Sequence, residues 1–373
     1  MDAEDPDYLS SQLVTYIGNK RALLSLIEEG LAAAGARLGL RRALDVFEPF
    51  AGSGAASRLF KSRSRFLAVN DLEPYAEPIA RCYLANRSSL DLPSLRAAHA
   101  DLVDRLRDDR LRDGFIAELY APDCDEAIKP GERAFYTRRN ARYIDTARAL
   151  IGDLDPGLRD FFLAPLLAEA SVHANTSGVF KGFHKNRKTG VGQFGGTGSD
   201  ALSRILSPIC LPFPVFSRFE CEFESTTLDA VEAARDHASK GREFDVAYLD
   251  PPYNQHPYGS NYFMLNLIAS YGRPGRISPV SGIPVDWRRS AYNRRAEAAS
   301  AIASLVEATP ARFILLSYNS EGFVPPAELR DLLGRFGRVE TLSRPYAAFR
   351  GSRNLAGRPI RVREYLYVLE KTC

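Results

Sequence analysis

No apolar run in the 373 residues approaches the length needed to cross a bilayer, and the opening Met-Asp-Ala-Glu-Asp-Pro-Asp is acidic where a secretory signal would be basic. Neither export nor membrane insertion is expected. Cysteine is scarce. The five residues at 82, 124, 210, 221 and 373 never approach the paired spacing of a zinc site or redox motif, so reduced thiols in a cytoplasmic protein, with no metal centre, are expected. Lysine is scarcer than arginine: of 49 basic residues eight are lysine, leaving 41 arginines. Either a GC-rich coding bias or the use of guanidinium groups on phosphates and guanine edges explains that excess, and clustering matters more than the count. Acidic and basic groups nearly cancel, for a formal net charge of +3. No internal repeat is present. At 45% hydrophobic residues the chain can bury one sizeable α/β core and an appended module.

The apolar pattern alternates between strand and helix. Leu23, Leu24, Ile27 and Leu31 recur at helical spacing after the loop Thr15-Tyr16-Ile17-Gly18-Asn19. Residues 43–47 read as a strand, 48–54 as a small-residue turn, 55–60 as the start of a helix, and 65–69 as a second strand ending on Asn70-Asp71, which together make one βαβ unit. From 76 to 212 the pattern turns helical and polar, with a Gly-rich stretch at 190–198, and reads as an insert. Strands return at 215–224, 244–249, 312–317, 339–342 and 365–369, separated by helical stretches near 228–239, 261–271, 288–308 and 326–335. A doubly wound, mostly parallel α/β sheet with a late antiparallel strand is expected, divided as a catalytic domain of 1–75 plus 213–373 and an inserted, mainly helical domain of 76–212.

Two motifs carry chemistry. In Asp45-Val46-Phe47-Glu48-Pro49-Phe50-Ala51-Gly52-Ser53-Gly54 a glycine turn joins a strand to a helix, which lets backbone approach a ligand closely. Asp71 follows at the end of the next strand, where a carboxylate can accept both hydroxyls of a ribose. The third glycine of the dinucleotide fingerprint is replaced by Ser57, which weakens a nicotinamide-cofactor reading. Asp250-Pro251-Pro252-Tyr253 follows the apolar run Val246-Ala247-Tyr248-Leu249 and so sits at the carboxyl end of a strand. Its two prolines offer no N–H donors and hold the backbone extended. An acid, a fixed carbonyl and an aromatic ring then suit an aromatic amine: Asp250 and the Pro251 carbonyl each accept one hydrogen while Tyr253 stacks on the ring.

Together these motifs make the chain resemble the DNA adenine methylase family of amino-methyltransferases in its alpha arrangement, in which the cofactor motif precedes the recognition insert and the catalytic motif follows it. The likeness runs from Tyr16-Ile17-Gly18-Asn19-Lys20 to the final strand and is weakest between 76 and 212. It implies a seven-stranded methyltransferase sheet and transfer of a methyl group from S-adenosyl-L-methionine to the N6 amine of adenine in duplex DNA, with the target base flipped out. It further implies that Tyr16, Gly18 and Lys20 contact the cofactor, that Glu48, Pro49, Phe50, Ala51, Gly52, Ser53 and Gly54 wrap its methionine end, and that Asp71 binds its ribose. Asp250 belongs to the catalytic tetrapeptide and to the cofactor site, and Asp229 and Ala230 match loosely the place where the family contacts the cofactor's adenine.

Basic residues interleaved with aromatics point to the DNA. Phe180-Lys181-Gly182-Phe183-His184-Lys185-Asn186-Arg187-Lys188 reads as a loop lying along phosphates, with Lys181, His184, Lys185, Asn186, Arg187 and Lys188 as the contacts. Arg350 and Arg353, in an arginine-rich stretch between the last two strands, are expected to do the same. His256, Tyr258, Asn261 and Tyr262 follow the tetrapeptide and either line the base pocket or pack in the core. Methylation of cytosine at N4 is the alternative within the enzyme class, disfavoured because that group usually begins its tetrapeptide with Ser. A catalytically inactive DNA-binding module of the same fold is the alternative outside it. A cognate restriction endonuclease is a further expected partner.

Overall fold

The computed structural model describes residues 4–39, 43–196, 201–347 and 361–372. Seven strands form one sheet: β1 (Leu44–Glu48), β2 (Ser64–Asn70), β3 (Glu222–Thr226), β4 (Phe244–Leu249), β5 (Ala311–Asn319), β6 (Gly337–Ala347) and β7 (Arg361–Lys371). Their spatial order is β3-β2-β1-β4-β5-β7-β6. The first five run parallel, and β7 is antiparallel to both β5 and β6. This is the expected α/β class. Central strands covered on both faces have to be nearly continuous apolar runs, and only Asp245 is not fully buried within β4. The third strand begins later than its sequence suggests, at 222 rather than 215, and the 288–308 stretch is helical only from 295 apart from one turn at Ala291–Asn293. Aromatic and β-branched residues at 215–219 support strand propensity, but they pack outside the sheet: Phe213 and Phe216 lie edge to face at 6.2 Å and Phe216 meets Phe161.

Helix Leu24–Leu38 covers one face of the sheet. It buries Leu26, Ile27, Gly30, Leu31 and Ala34 at helical spacing and stops at Gly39, whose φ of 63° makes the left-handed cap. Gly30 is required by close approach, because a Cβ there would stand 2.6 Å from the Leu366 side chain on β7. The opposite face is covered by helices Ala230–Ser239, Arg295–Ala308 and Pro326–Leu333, packed over Phe47, Ala247, Ile314 and Leu369.

A separate core gathers the helices of residues 92–172 with Tyr262, Phe263, Met264 and Ile268 from the helix after β4, and with Tyr8 and Val14 from the N-terminal segment. Helix Ala76–Tyr83 belongs to both sides: Ile79 and Tyr83 join that core while Ala80 packs toward the sheet. The segment that carries Tyr16 and Lys20 is pinned from below by Arg58, a guanidinium only 1% exposed. It donates to the carbonyls of Tyr8 (2.6 Å), Ser11 (2.8 Å) and Gln12 (3.2 Å) and stacks 3.8 Å over the Tyr83 ring. Arg58→Met keeps most of the volume and removes all three donors. It should lower unfolding free energy by about 2–4 kcal/mol, a loss of charged hydrogen bonds and ring stacking, measurable by urea denaturation. An unchanged midpoint would show that the segment is held by other contacts.

Candidate active site

Because β1 and β4 are neighbours, the turn after β1 and the tetrapeptide after β4 open into the same cleft at the carboxyl edge of the sheet, the place where open α/β sheets bind ligands. The cleft holds about 810 Å³ of space. Tyr16, Gly18 and Lys20 line it from the N-terminal loop, Glu48, Pro49, Phe50, Ala51, Gly52 and Ser53 from the first turn, Asp71 from the end of β2, and Asp229 and Ala230 from the start of a helix. Asp250 and Pro252 line it from the tetrapeptide. Gly54 does not: with φ of 74° it begins helix Ala55–Lys61, and a Cβ on it would meet Ile79 rather than the cleft. Pro251 is buried and is not among the lining residues.

The first turn is organised by its acids. Gly52, at φ of 53°, donates its N–H to Asp71 Oδ2 at 2.8 Å, and the N–H of Glu73 donates to Asp71 Oδ1 at the same distance. A Cβ on Gly52 would come within 3.1 Å of the Tyr16 hydroxyl, so close approach and backbone conformation both call for glycine. Ser57, in the place of the missing fingerprint glycine, donates to Glu48 Oε2 at 2.6 Å. Asn70 ties the turn to the next crossover by donating to the carbonyls of Pro49 and Leu228, each at 3.1 Å. Asp229 spends a carboxylate oxygen on the Val231 N–H, which starts its helix.

Tyr16, Tyr258 and Tyr262 form a cluster of near-parallel rings, with centroids 4.9 and 4.6 Å from Tyr16 and 5.8 Å from each other, and Tyr16 accepts a hydrogen bond from the Tyr75 hydroxyl. Tyr258 lines the cleft, whereas Tyr262 and Asn261 are buried, the Tyr262 hydroxyl accepting from the Ile17 N–H. His256 is exposed.

At the tetrapeptide, the Lys20 ammonium stands 2.9 Å from Asp250 Oδ1 and 4.9 Å from the centre of the Tyr253 ring. Tyr253 directs its hydroxyl to Asp250 Oδ1 (2.5 Å) and to Glu364 Oε1 (2.8 Å), and Tyr318 packs against its ring at a tilt. Burial pushes the Asp250 carboxyl above its ordinary range, the Lys20 charge and the Tyr253 hydrogen bond pull it back, and the Glu364 charge pushes the same way as burial. Burial likewise raises Glu48 well above its usual value against the opposing bond from Ser57, raises Asp71 to about 6, and raises Glu73 to about 7. Glu73, Arg288, Tyr292 and Asn293 line the cleft without having stood out in the sequence. No local motif marks them; each is brought in by a turn outside the two motifs.

Residues 184–193 form a hairpin, with Lys185 bridged to Gly192 and the Asn186 N–H bonded to the Val191 carbonyl. The Asn186 amide oxygen accepts the N–H groups of Lys188 and Thr189, closing the tip. Lys181, Lys185, Arg187 and Lys188 are exposed, and His184 is half-buried, its basicity lowered by burial. Arg350 and Arg353 lie outside the described residues. No described helix is long and apolar enough to cross a membrane.

Residues 16–190 and 218–277 match the family model described as D12 class N6 adenine-specific DNA methyltransferase. The chain is 29% identical over 369 residues to the type II methyltransferase M.NlaIII of Neisseria lactamica, an alignment covering 96% of this chain and all of that protein. It is 27% identical over 365 residues to the type II methyltransferase M.CviAII of Paramecium bursaria Chlorella virus 1, covering 95% of this chain and 97% of the other. Modification methylase LlaI of Lactococcus lactis subsp. lactis is 25% identical over 347 residues, which are 90% of this chain and 51% of that protein.

The raised acids have a consequence for stability. Asp71 binds its proton more tightly folded, at about 6, than at its ordinary 3.8. Its contribution to stability is therefore fully present below pH ~4 and is lost as pH rises through about 6. In the ligand-free protein, Asp71→Asn should flatten that part of the fall in unfolding free energy across this window, followed by urea denaturation at a series of pH values. An identical pH slope in the variant would mean that Asp71 is not held in a desolvated state.

Proposed function

Because the chain belongs to the D12 class of N6 adenine-specific DNA methyltransferases, and so methylates adenine in DNA at a specific site, we propose that its methyl donor is S-adenosyl-L-methionine, seated in the cleft that Gly52, Asp71 and Asp250 line. The adjacency of β1 and β4 carries this reading, since it sets a nucleoside-type turn and an amine-accepting tetrapeptide around one opening. The lining suits the donor. Glu48, Asp71 and Glu73 offer carboxylates to a molecule bearing an ammonium and a sulfonium, while Phe50 and Tyr292, edge to face at 5.3 Å, offer apolar surface to a base. When bound, S-adenosyl-L-methionine supplies an electrophilic methyl group on a cationic sulfur.

The chain's own residues do the rest by orientation. Asp71, its two oxygens already fixed by Gly52 and Glu73, accepts ribose hydroxyls with its remaining lone pairs. Tyr16, Gly18 and Lys20 close the opening from the N-terminal side, and Asp229 and Ala230 bound its adenine end. Asp250 and the Pro251 carbonyl accept the two hydrogens of the target amine. That pulls the nitrogen out of conjugation and presents its lone pair; ideal intramolecular orientation is worth up to ~7–11 kcal/mol. A stacked base cannot reach a strand end, so the target adenine is flipped out, at a cost of a few kcal/mol. Tyr253 offsets part of that cost by stacking, in competition with its present contacts to Lys20 or Tyr318.

Residues 76–212 act as the recognition insert on duplex DNA, with helix Ala76–Tyr83 shared between insert and sheet. The hairpin tip lies along phosphates through Lys185, Arg187 and Lys188, with Lys181 and His184 at its base, and Arg350 and Arg353, outside the described residues, are further candidates for phosphate contact. Since the Asn186 amide oxygen closes the turn, only its NH₂ group is left to meet a base edge. The presence of type II methyltransferases and a modification methylase among the relatives supports pairing with a restriction endonuclease.

Asp250→Ala should reduce single-turnover methyl transfer to unmethylated DNA by about 10²-fold or more, the scale of lost orientation, while calorimetry finds donor binding largely retained. Near-parental turnover would remove Asp250 from the chemistry. Lys185→Ala or Arg187→Ala should weaken binding to all DNA sequences alike and lower the slope of log affinity against log salt by about one. A changed sequence preference at an unchanged slope would make that residue a base reader instead.

A further inference from the structure

Strand β7 lines one face of the sheet with Val362, Leu366 and Val368, all buried apolar side chains. By the two-residue period of a strand, Glu364 belongs to the same row, and it too is only 2% exposed. A carboxylate in such a row costs stability unless it is paired. The guanidinium opposite it in register, Arg344 of β6, is engaged with Glu29 on helix Leu24–Leu38. Glu364 instead turns toward the tetrapeptide. Its Oε1 accepts from the Tyr253 hydroxyl (2.8 Å) and the Ser317 hydroxyl (3.0 Å) and stands 3.6 Å from the Lys20 ammonium.

We infer that Glu364 is a positioning residue of the methyl-transfer site, holding the phenol of Tyr253 and the ammonium of Lys20 so that Asp250 faces the target amine as an ionised acceptor. The inference rests on Asp250 being that acceptor. The geometry of the shared partners supports it. The phenol oxygen of Tyr253 is 2.5 Å from Asp250 and 2.8 Å from Glu364, and the Lys20 ammonium stands within reach of both carboxyl groups, so the hydroxyl and the ammonium that fix Asp250 are the two groups that Glu364 holds. The charged and titratable groups facing Asp250 are Lys20 from the N-terminal loop, Glu48 from β1, Tyr248 from β4, Tyr253 from its own turn, Tyr258 from the following helix and Glu364 from β7. Of these, Glu364 touches Asp250 only through shared partners and does not line the cleft.

Glu364→Gln keeps an acceptor for Tyr253 and removes the charge. Its donor affinity and its KM for DNA should match the parent, while kcat falls about 10- to 100-fold, the scale of a small misplacement at a reacting group. Loss of the Glu364 charge favours ionisation of Asp250, so the acid limb of the kcat–pH profile should move to lower pH. On a Tyr253→Phe background the same substitution should add little, because the two residues act as one unit. Parental kcat and an unmoved acid limb, or a fully additive loss in the double variant, would overturn the inference. Glu364→Asp is the second variant should the glutamine form not fold. It retains the charge at a longer reach, so kcat should fall with the acid limb in place, and a parental kcat there would also overturn it. If Asp250→Ala keeps its turnover, the acceptor reading itself fails. If Asp250→Ala is inactive and Glu364→Gln is parental, only the role of Glu364 fails.

Discussion

The ammonium of Lys20 sits 2.9 Å from Asp250 and 3.6 Å from Glu364, 6% exposed, at a point where three strands and the N-terminal loop converge. Around it the carboxyl edge of the sheet collects Glu48, Asp71, Glu73, Asp250 and Glu364, far more negative charge than a buried place tolerates without help. The protein manages this locally. Ser57 holds Glu48, two backbone N–H groups hold Asp71, Asn266 holds Glu73, and Tyr253 with Lys20 holds the last pair. Against those bonds, burial still raises Glu48, Asp71, Glu73 and Asp250 above their ordinary range. A cationic ligand entering the cleft finds carboxylates that are positioned but under-neutralised, so its binding relieves a strain that folding created.

That arrangement depends on segments distant in sequence. Lys20 reaches the tetrapeptide because Arg58 clamps the carbonyls of residues 8–12, and because Tyr258 and Tyr262, on the far side of β4, stack on Tyr16. The helix Phe263–Ser270 that follows the tetrapeptide packs into the core of the helical insert. Residues 92–172 and the helix that follows the tetrapeptide therefore share one set of buried side chains.

Local features were legible before the structure. Strand β4 and its Asp-Pro-Pro-Tyr ending are contiguous, and so are β1, its glycine turn and Asp71; the chemistry of each is written within ten to thirty residues. Glu364 was not legible, because an acid within an alternating strand looks like any solvent-facing residue until the antiparallel placement of β7 between β5 and β6 turns it inward. Arg363 next to it is the exposed member of that pair. Gly54, read with the same turn, starts the helix Ala55–Lys61 and does not line the cleft. In the insert, backbone pairing between Lys185 and Gly192 makes a hairpin where composition suggested a loop, since a turn closed by an Asn side chain leaves no apolar periodicity to read.

One acid-lined cleft is proposed to hold the methyl donor beside Asp250. Calorimetric titration of the ligand-free protein with S-adenosyl-L-methionine, repeated from acid to neutral pH, tests it most directly. One site per chain is expected, with an affinity that rises as pH climbs through about 6 to about 7, where Asp71 and Glu73 give up their protons, together with net proton release on binding below that window. An affinity independent of pH and unchanged by Asp71→Asn would place the donor elsewhere and contradict it.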